Sequence, residues 1–221
     1  MPKYVLPATD PVLNGSYRGI RPRVERPTKS VYENYSKYNV QATTPMKQVD
    51  GAESYFLRAE GALRGWNMGG TPQALYEAGI RASLKLNGVS EGNYLNSTSM
   101  QLAYVDPKRP DYNSARLSDV TVKWDESATF EQKLEKIITQ KWIAVFPEGT
   151  EAWAEFRRTD YPKLYYIMSP QNPLLPLGTY IKRLTYPLTQ VVSSSKEAYD
   201  AAVSSYLGGK DDENVKFYWM K

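Results

Sequence analysis

Lys141-Trp142-Ile143-Ala144-Val145-Phe146-Pro147-Glu148-Gly149-Thr150-Glu151-Ala152-Trp153-Ala154-Glu155-Phe156-Arg157-Arg158-Thr159-Asp160-Tyr161-Pro162 is the stretch that decides the fold. Its first residues end a helix. Pro147-Glu148-Gly149 then makes a tight corner, because proline can neither donate the next helical bond nor tolerate the preceding turn. Thr150 is the predicted N-cap of a second helix. Glu151 suits the positive end of that helix's dipole, and Arg157 and Arg158 suit its negative end. Trp153 and Phe156 are predicted to point inward. Nothing in the stretch is catalytic hardware.

Upstream, Thr129 and Gln132 form a capping box. Phe130, Leu134, Ile137, Ile138, Trp142 and Val145 make the apolar stripe of the helix that runs into the corner. A second pair precedes it. Asp50 with Glu53 reads as another capping box, followed by Ala52, Tyr55, Phe56, Ala59, Leu63 and Trp66 at helical spacing. Met68-Gly69-Gly70 ends that helix. Thr71 caps the next, Pro72 takes its first position, and Asn87-Gly88 closes it. Leu75, Ala78, Ile80, Ala82 and Leu84 form its predicted face, and Ala74, Ala78 and Ala82 suit close antiparallel packing. Two helices and a short loop match the length of one tetratricopeptide unit, without its Trp-Leu-Gly-Tyr consensus. The predicted fold class is mainly α, with tetratricopeptide-like helix pairs, long ordered loops and few short strands.

The flanks read differently. Residues 1–49 carry prolines at 2, 7, 11, 22, 27 and 45 and are predicted to be an irregular extended segment. Asn34, Ser36 and Asn39 favour loop around Tyr32, Tyr35 and Tyr38. Residues 50–162 form the helical scaffold. Residues 163–221 are loop-rich, with one helix over 196–206 capped by Ser195 and an edge strand at Leu184–Pro187, packed on the scaffold. Between the helix pairs, Tyr94–Leu102 fits a short helix, and Val120–Trp124 fits a strand or an extended arm. The aromatic end, Phe217-Tyr218-Trp219, reads as a docking element.

The 221 residues contain no cysteine and no histidine. That excludes thiol nucleophiles, disulfides, the usual zinc sites and every Ser-His-Asp or Cys-His mechanism. Gly208-Gly209-Lys210 lacks the upstream glycine of a phosphate loop. Asp211-Asp212-Glu213-Asn214 lacks calcium-loop spacing and reads as a solvated turn. No metal, cofactor or catalytic residue is assigned. Asp106 with Asp111, or Glu148 with Glu151, are the carboxylate pairs a glycoside hydrolase would need. The first pair sits in a proline-rich turn, and the second reads as helix-start electrostatics. The formal charge is +4. The excess gathers around Arg18, Arg21, Arg23, Arg26 and Lys29, alternating with Pro22 and Pro27. This reads as an extended surface arm rather than a nucleic-acid patch. No apolar run is long enough to span a membrane. Three Asn-X-Ser/Thr triplets, at Asn14, Asn34 and Asn96, carry little weight.

Eighteen tyrosines and five tryptophans are the chain's most distinctive resource. Such rings pack on sugar faces while their polar tips hydrogen-bond, and they are equally good core residues. Trp142 and Trp153 sit on apolar helix faces and read as core. Trp124 lies in an irregular stretch and is the first choice among tryptophans for stacking on a sugar. Tyr32, Tyr35, Tyr38, Tyr112 and Trp124 are the candidate ligand-binding residues.

Three segments resemble the SusD/RagB family of outer-membrane nutrient-binding lipoproteins: Ser54–Gly70, Ile138–Pro162 and Arg183–Pro187. The resemblance implies a non-catalytic protein built on tetratricopeptide-like helix pairs. Such a protein is lipid-anchored at the outer membrane of Bacteroidetes and captures glycans or peptides for a TonB-dependent, SusC-like barrel. It also implies a protein about twice this length, so the anchor cysteine and an N-terminal half are expected as the missing partner of these residues. The family's ligand residues vary, so none is carried over. The alternatives are a protein-interaction scaffold without a small ligand and a carboxylate-based glycoside hydrolase.

Overall fold

The computed structural model describes residues 4–21, 29–44, 47, 49–166, 175, 178–187 and 193–220. Among them, helices dominate: α1 (Lys29–Tyr32), α2 (Gly51–Leu63), α3 (Pro72–Leu86), α4 (Phe130–Val145), α5 (Gly149–Thr159) and α6 (Lys196–Tyr206). A single ribbon pairs β1 (Val5–Leu6) antiparallel with β2 (Lys37–Tyr38). The mainly helical class expected from the periodicity is the class observed.

Helix α2 starts where Asp50 accepts a bond from the Ala52 N–H at 2.9 Å. The reciprocal half of the expected capping box is absent, because Glu53 turns instead to the Lys141 ammonium, 3.2 Å away. Thr71 caps α3 and Pro72 opens it, as predicted. The α2–α3 seam differs from the alanine ridge the sequence suggested. Ala74 is exposed, and the close approach is made by Gly79 against the Phe56 ring, where a Cβ would stand 2.9 Å from the ring carbons. Phe56, Tyr76, Leu75, Ile80, Ala52, Ala59, Ile137, Ala144 and Trp124 form the main core between the pairs.

Helix α4 carries the complete Thr129/Gln132 capping box, and Leu134, Ile137, Ile138 and Val145 are buried. Phe130 and Trp142 are less covered than the stripe predicts. Helix α5 begins two residues earlier than expected. Glu148 occupies the cap position without a side-chain bond, and Thr150 already lies inside the first turn. The helix ends at Asp160, in the left-handed region with φ 60°.

Other expectations need correction. Lys29–Tyr32 is helical, and Lys37–Tyr38 is strand rather than loop. Only Tyr94–Asn96 of the predicted 94–102 helix forms, as a 3-10 turn. Val120–Trp124 joins no ladder. It is held by Tyr76, whose hydroxyl donates to the Val122 carbonyl at 2.7 Å, and by the buried Lys136 ammonium on the Thr121 and Lys123 carbonyls. Leu184–Pro187 forms no strand. Ser195 precedes α6 without a capping bond. Arg21 is buried, donating to the Tyr112 carbonyl at 2.8 Å. The rest of the predicted basic arm, 22–28, lies outside the described residues.

Candidate ligand-binding site

Two of the five candidate rings come together on one carboxylate, which also takes the Tyr104 hydroxyl at 3.3 Å. Asp106 is almost fully buried and accepts the hydroxyls of Tyr32 and Tyr35, each at 3.0 Å, and the backbone N–H groups of Lys108 and Arg109. Tyr112 lies alongside, its hydroxyl 3.1 Å from the Arg109 guanidinium. Burial would raise the Asp106 carboxyl, but its donors hold it below the ordinary carboxylate value. Burial, and then the Asp106 carboxylate, push both tyrosine hydroxyls well above the usual phenol range. This node ties the N-terminal segment to the 104–114 turn, and the rings of Tyr32, Tyr35 and Tyr112 are covered. Tyr38 stands apart and is 74% exposed, stacked on Phe146 with centroids 6.4 Å apart.

The tryptophans trade places. Trp124 is 8% exposed, tilted against Tyr76 at 5.3 Å, with its indole N–H on Glu126. Trp142 and Trp153 are half-buried on the wall of an apolar groove of about 650 Å³, completed by Tyr165, Ile181 and Leu184. Trp153 donates to the Ile181 carbonyl at 2.9 Å. Its other face meets the Arg157 guanidinium at 4.3 Å, and Trp219 lies on that guanidinium from further along the chain at 5.1 Å. Phe217 and Trp219 of the aromatic end thus meet Arg157 of α5, while Tyr218 is fully exposed.

Behind Phe156, Leu164 and Tyr180, which wall both hollows, lies a second cavity of about 440 Å³. Its lining mixes apolar side chains, Leu117 among them, with Lys163, Lys182, Lys216, Asp160, Thr179 and Asn214, beside Tyr166 and Tyr180. The two rings are 5.4 Å apart and tilted by 36°. Asp160, at the end of α5, receives Lys182 and, at 3.0 Å, Lys216. Burial raises its carboxyl, but the two ammonium groups outweigh that and hold it low. Burial lowers the Lys182 ammonium more than Asp160 supports it. The Lys163 ammonium rests 4.6 Å over the Tyr161 ring. Sequence reasoning missed this cavity because its lysines, at 163, 182 and 216, come from distant stretches and carry no local pattern.

The carboxylate pairs do not assemble an acid and a base. Asp106 is a buried acceptor, while Asp111 is held low by the Arg109 guanidinium. Glu151 bonds Lys141 at 3.0 Å, and the hollow beside it and Glu148 is only about 90 Å³. Asp211 is taken up by Arg183 and the Tyr186 N–H.

The sequence model of SusD-like proteins, described as SusD and RagB outer membrane lipoprotein, matches residues 1–220. No curated protein matches the chain. Among solved structures, a chitin-binding SusD homologue from Flavobacterium johnsoniae is 41% identical, with a TM-score of 0.83 over 98% of this chain and 45% of its own. A SusD-like protein from Bacteroides thetaiotaomicron is 38% identical, with a TM-score of 0.89 over 100% of this chain and 47% of its own. A SusD homologue from Bacteroides uniformis is 35% identical, with a TM-score of 0.89 over 100% and 46%. The chain therefore spans less than half the length of these relatives.

Proposed function

Because the chain belongs to the SusD/RagB family of outer-membrane lipoproteins, we propose that it captures glycan nutrients at the outer membrane by binding alone. The cargo passes to a TonB-dependent, SusC-like barrel. The observation that carries this reading is the Tyr166–Tyr180 pair standing beside the donors of the 440 Å³ cavity. Aromatic faces accept the C–H side of a sugar, while ammonium and amide groups take its hydroxyls. The cavity is of the size that small ligands fill, about 300–1,000 Å³. The chitin-binding description of the Flavobacterium relative supports a carbohydrate as cargo. Binding rather than hydrolysis is supported by the commitment of the candidate carboxylates to cations and backbone donors. Affinity electrophoresis against a panel of neutral and acidic polysaccharides tests the reading. Retardation by at least one glycan, without turnover of aryl glycosides, is expected. Failure of every glycan to retard the protein would overturn it.

The apolar groove favours protein as a second ligand. Trp142, Trp153, Ile181 and Leu184 offer little for a hydroxylated sugar to bond. Relatives carry further chain beyond the shared stretch, and we infer that such a protein segment is what seats there. Co-purification with the complementary region of a relative, lost on changing Trp142 and Trp153 to Asp, is the expected result.

A further inference from the structure

A second hollow has a lining with its own chemistry: we propose that the pocket beside Gln140 receives the acetamido group of an N-acetylated amino sugar. This rests on the glycan-capture reading and narrows it. The pocket, of about 240 Å³, lies between α4, the 120–122 arm and the segment around Met100. Gln140 is 8% exposed, and its Oε1 accepts the Tyr94 hydroxyl at 3.1 Å. Its Nε2 donates to nothing among the described residues and is not sealed in the interior, so its N–H groups open on the pocket. A nearly buried carboxamide at an opening is the kind of fixed polar group that orients a ligand among apolar walls. The Thr139 hydroxyl lines the same pocket and is likewise unbonded among the described residues.

The neighbouring polar groups are already occupied, which sets the charge of the ligand. Lys136 is spent on the Thr121 and Lys123 carbonyls, and the Lys163 ammonium rests over the Tyr161 ring. Gln101 donates to the Lys163 carbonyl at 3.0 Å and accepts the Leu117 and Ser118 N–H groups. Neither lysine turns a free charge on the pocket, so a neutral ligand fits. Met100, Val122 and Ile143 supply an apolar wall. An acetamido group answers both demands. Its carbonyl accepts from Gln140, its N–H donates to Thr139, and its methyl covers the wall. A sugar hydroxyl would satisfy the carboxamide and leave that wall wet. Lys163 also lines the 440 Å³ cavity, so a glycan held against Tyr166 and Tyr180 can run on into this pocket.

The test is calorimetric titration of the full chain with N-acetylchitohexaose and with cellohexaose, which has the same linkage and a hydroxyl in place of each acetamido group. The first should bind about tenfold more tightly. Its affinity should not change between about 50 mM and about 500 mM salt, because no charge is engaged. Gln140→Leu should weaken N-acetylchitohexaose by about tenfold, the loss of one hydrogen bond, at an unchanged far-ultraviolet dichroism spectrum. Met100 is 44% exposed, so Met100→Ala should weaken it severalfold without moving the melting temperature. Cellohexaose affinity should be the same in both variants as in wild type. Equal binding of the two oligosaccharides, or wild-type affinity in both variants, would overturn the subsite while leaving glycan capture standing. So would failure of both oligosaccharides to bind a protein that another glycan retards. Displacement of N-acetylchitohexaose by an equal concentration of an N-acetylated tripeptide would make the ligand a peptide and overturn the sugar. If no glycan of any kind binds, the capture reading falls with it.

Discussion

Arg158 grips Glu60 with both terminal nitrogens, Nη1 to Oε1 at 2.7 Å and Nη2 to Oε2 at 2.6 Å, so the last turn of α5 is clamped to α2. The same Oε1 takes Arg64 from its own helix at 2.8 Å. Burial alone would raise the Glu60 carboxyl, but the two guanidinium groups hold it below the ordinary value. A carboxylate with a depressed folded pKa contributes stability that is complete above the unfolded value, about 4.3. That contribution is lost as pH falls through the lower folded one. Arg158→Met should therefore cost about 3 kcal/mol at neutral pH. The gap from wild type, read by urea unfolding, should close as pH falls below about 4.

Lys141 is the second node of this seam. Its ammonium is 1% exposed and meets Glu53 at 3.2 Å and Glu151 and Glu155 at 3.0 Å each. Lys141→Met would leave three carboxylates facing one another, of which only Glu155 is fully covered, and should cost about 3 kcal/mol. The loss again shrinks toward acid, because burial would raise Glu151 but Lys141 holds it below its ordinary value, while Glu53 already sits high. Burial raises the Glu53 carboxyl above its ordinary value despite Lys141, so proton uptake by this group favours the folded state. Without the lysine its pKa rises further. The loss of melting temperature relative to wild type should be largest near pH 8 and should shrink as pH approaches 5.

These nodes mark where the sequence was legible and where it was not. Caps and periodicities are local, and Thr71-Pro72, Thr129 with Gln132, and Asn87-Gly88 stand where their chemistry places them. Glu60, Lys136, Gln140, Lys141 and Glu155 are buried although they are polar. Apolar periodicity cannot register them, because their partners come from other segments: Lys141 is matched from α2 and α5, Lys136 by carbonyls of the 121–123 arm. The exposure of the tryptophans was hidden for the same reason. Trp124 looked open because its neighbours were irregular, yet Tyr76 and α4 cover it. Trp142 and Trp153 looked interior because they lie on helical stripes, yet those stripes border a groove.

Gly79 should be intolerant of any side chain. A Cβ there would stand 2.9 Å from the Phe56 ring, itself locked in the α2–α3 core. Alanine gains about 1 kcal/mol in helix propensity but overpacks the seam by about 1–3 kcal/mol. Gly79→Ala should be destabilising on balance, by about 1 kcal/mol. Phe56→Leu should cost less in the Gly79→Ala background than in wild type. A double-mutant cycle by chemical unfolding measures this coupling, and simple additivity would show that the ring and the glycine do not oppose each other.

Trp124 and Trp153 should part company in a binding assay. Trp124 is packed against Tyr76 with its N–H on Glu126, so Trp124→Ala should lower stability by about 3–5 kcal/mol. The milder Trp124→Phe should leave glycan affinity unchanged. Trp153 sits between the apolar groove and Arg157, one turn from Phe156 on the wall shared with the lysine cavity. Removing its ring frees the guanidinium and loosens that wall, so Trp153→Ala should weaken glycan retardation severalfold, at a cost in stability of about 3 kcal/mol. Trp153→Phe should restore the stacking on Arg157 and most of the affinity, although it cannot remake the bond to the Ile181 carbonyl. Fluorescence titration of the two Phe variants separates the roles: a ligand-induced quench that survives in Trp124→Phe and is reduced in Trp153→Phe is the expected pair of results. The reverse pair would return the stacking role to Trp124.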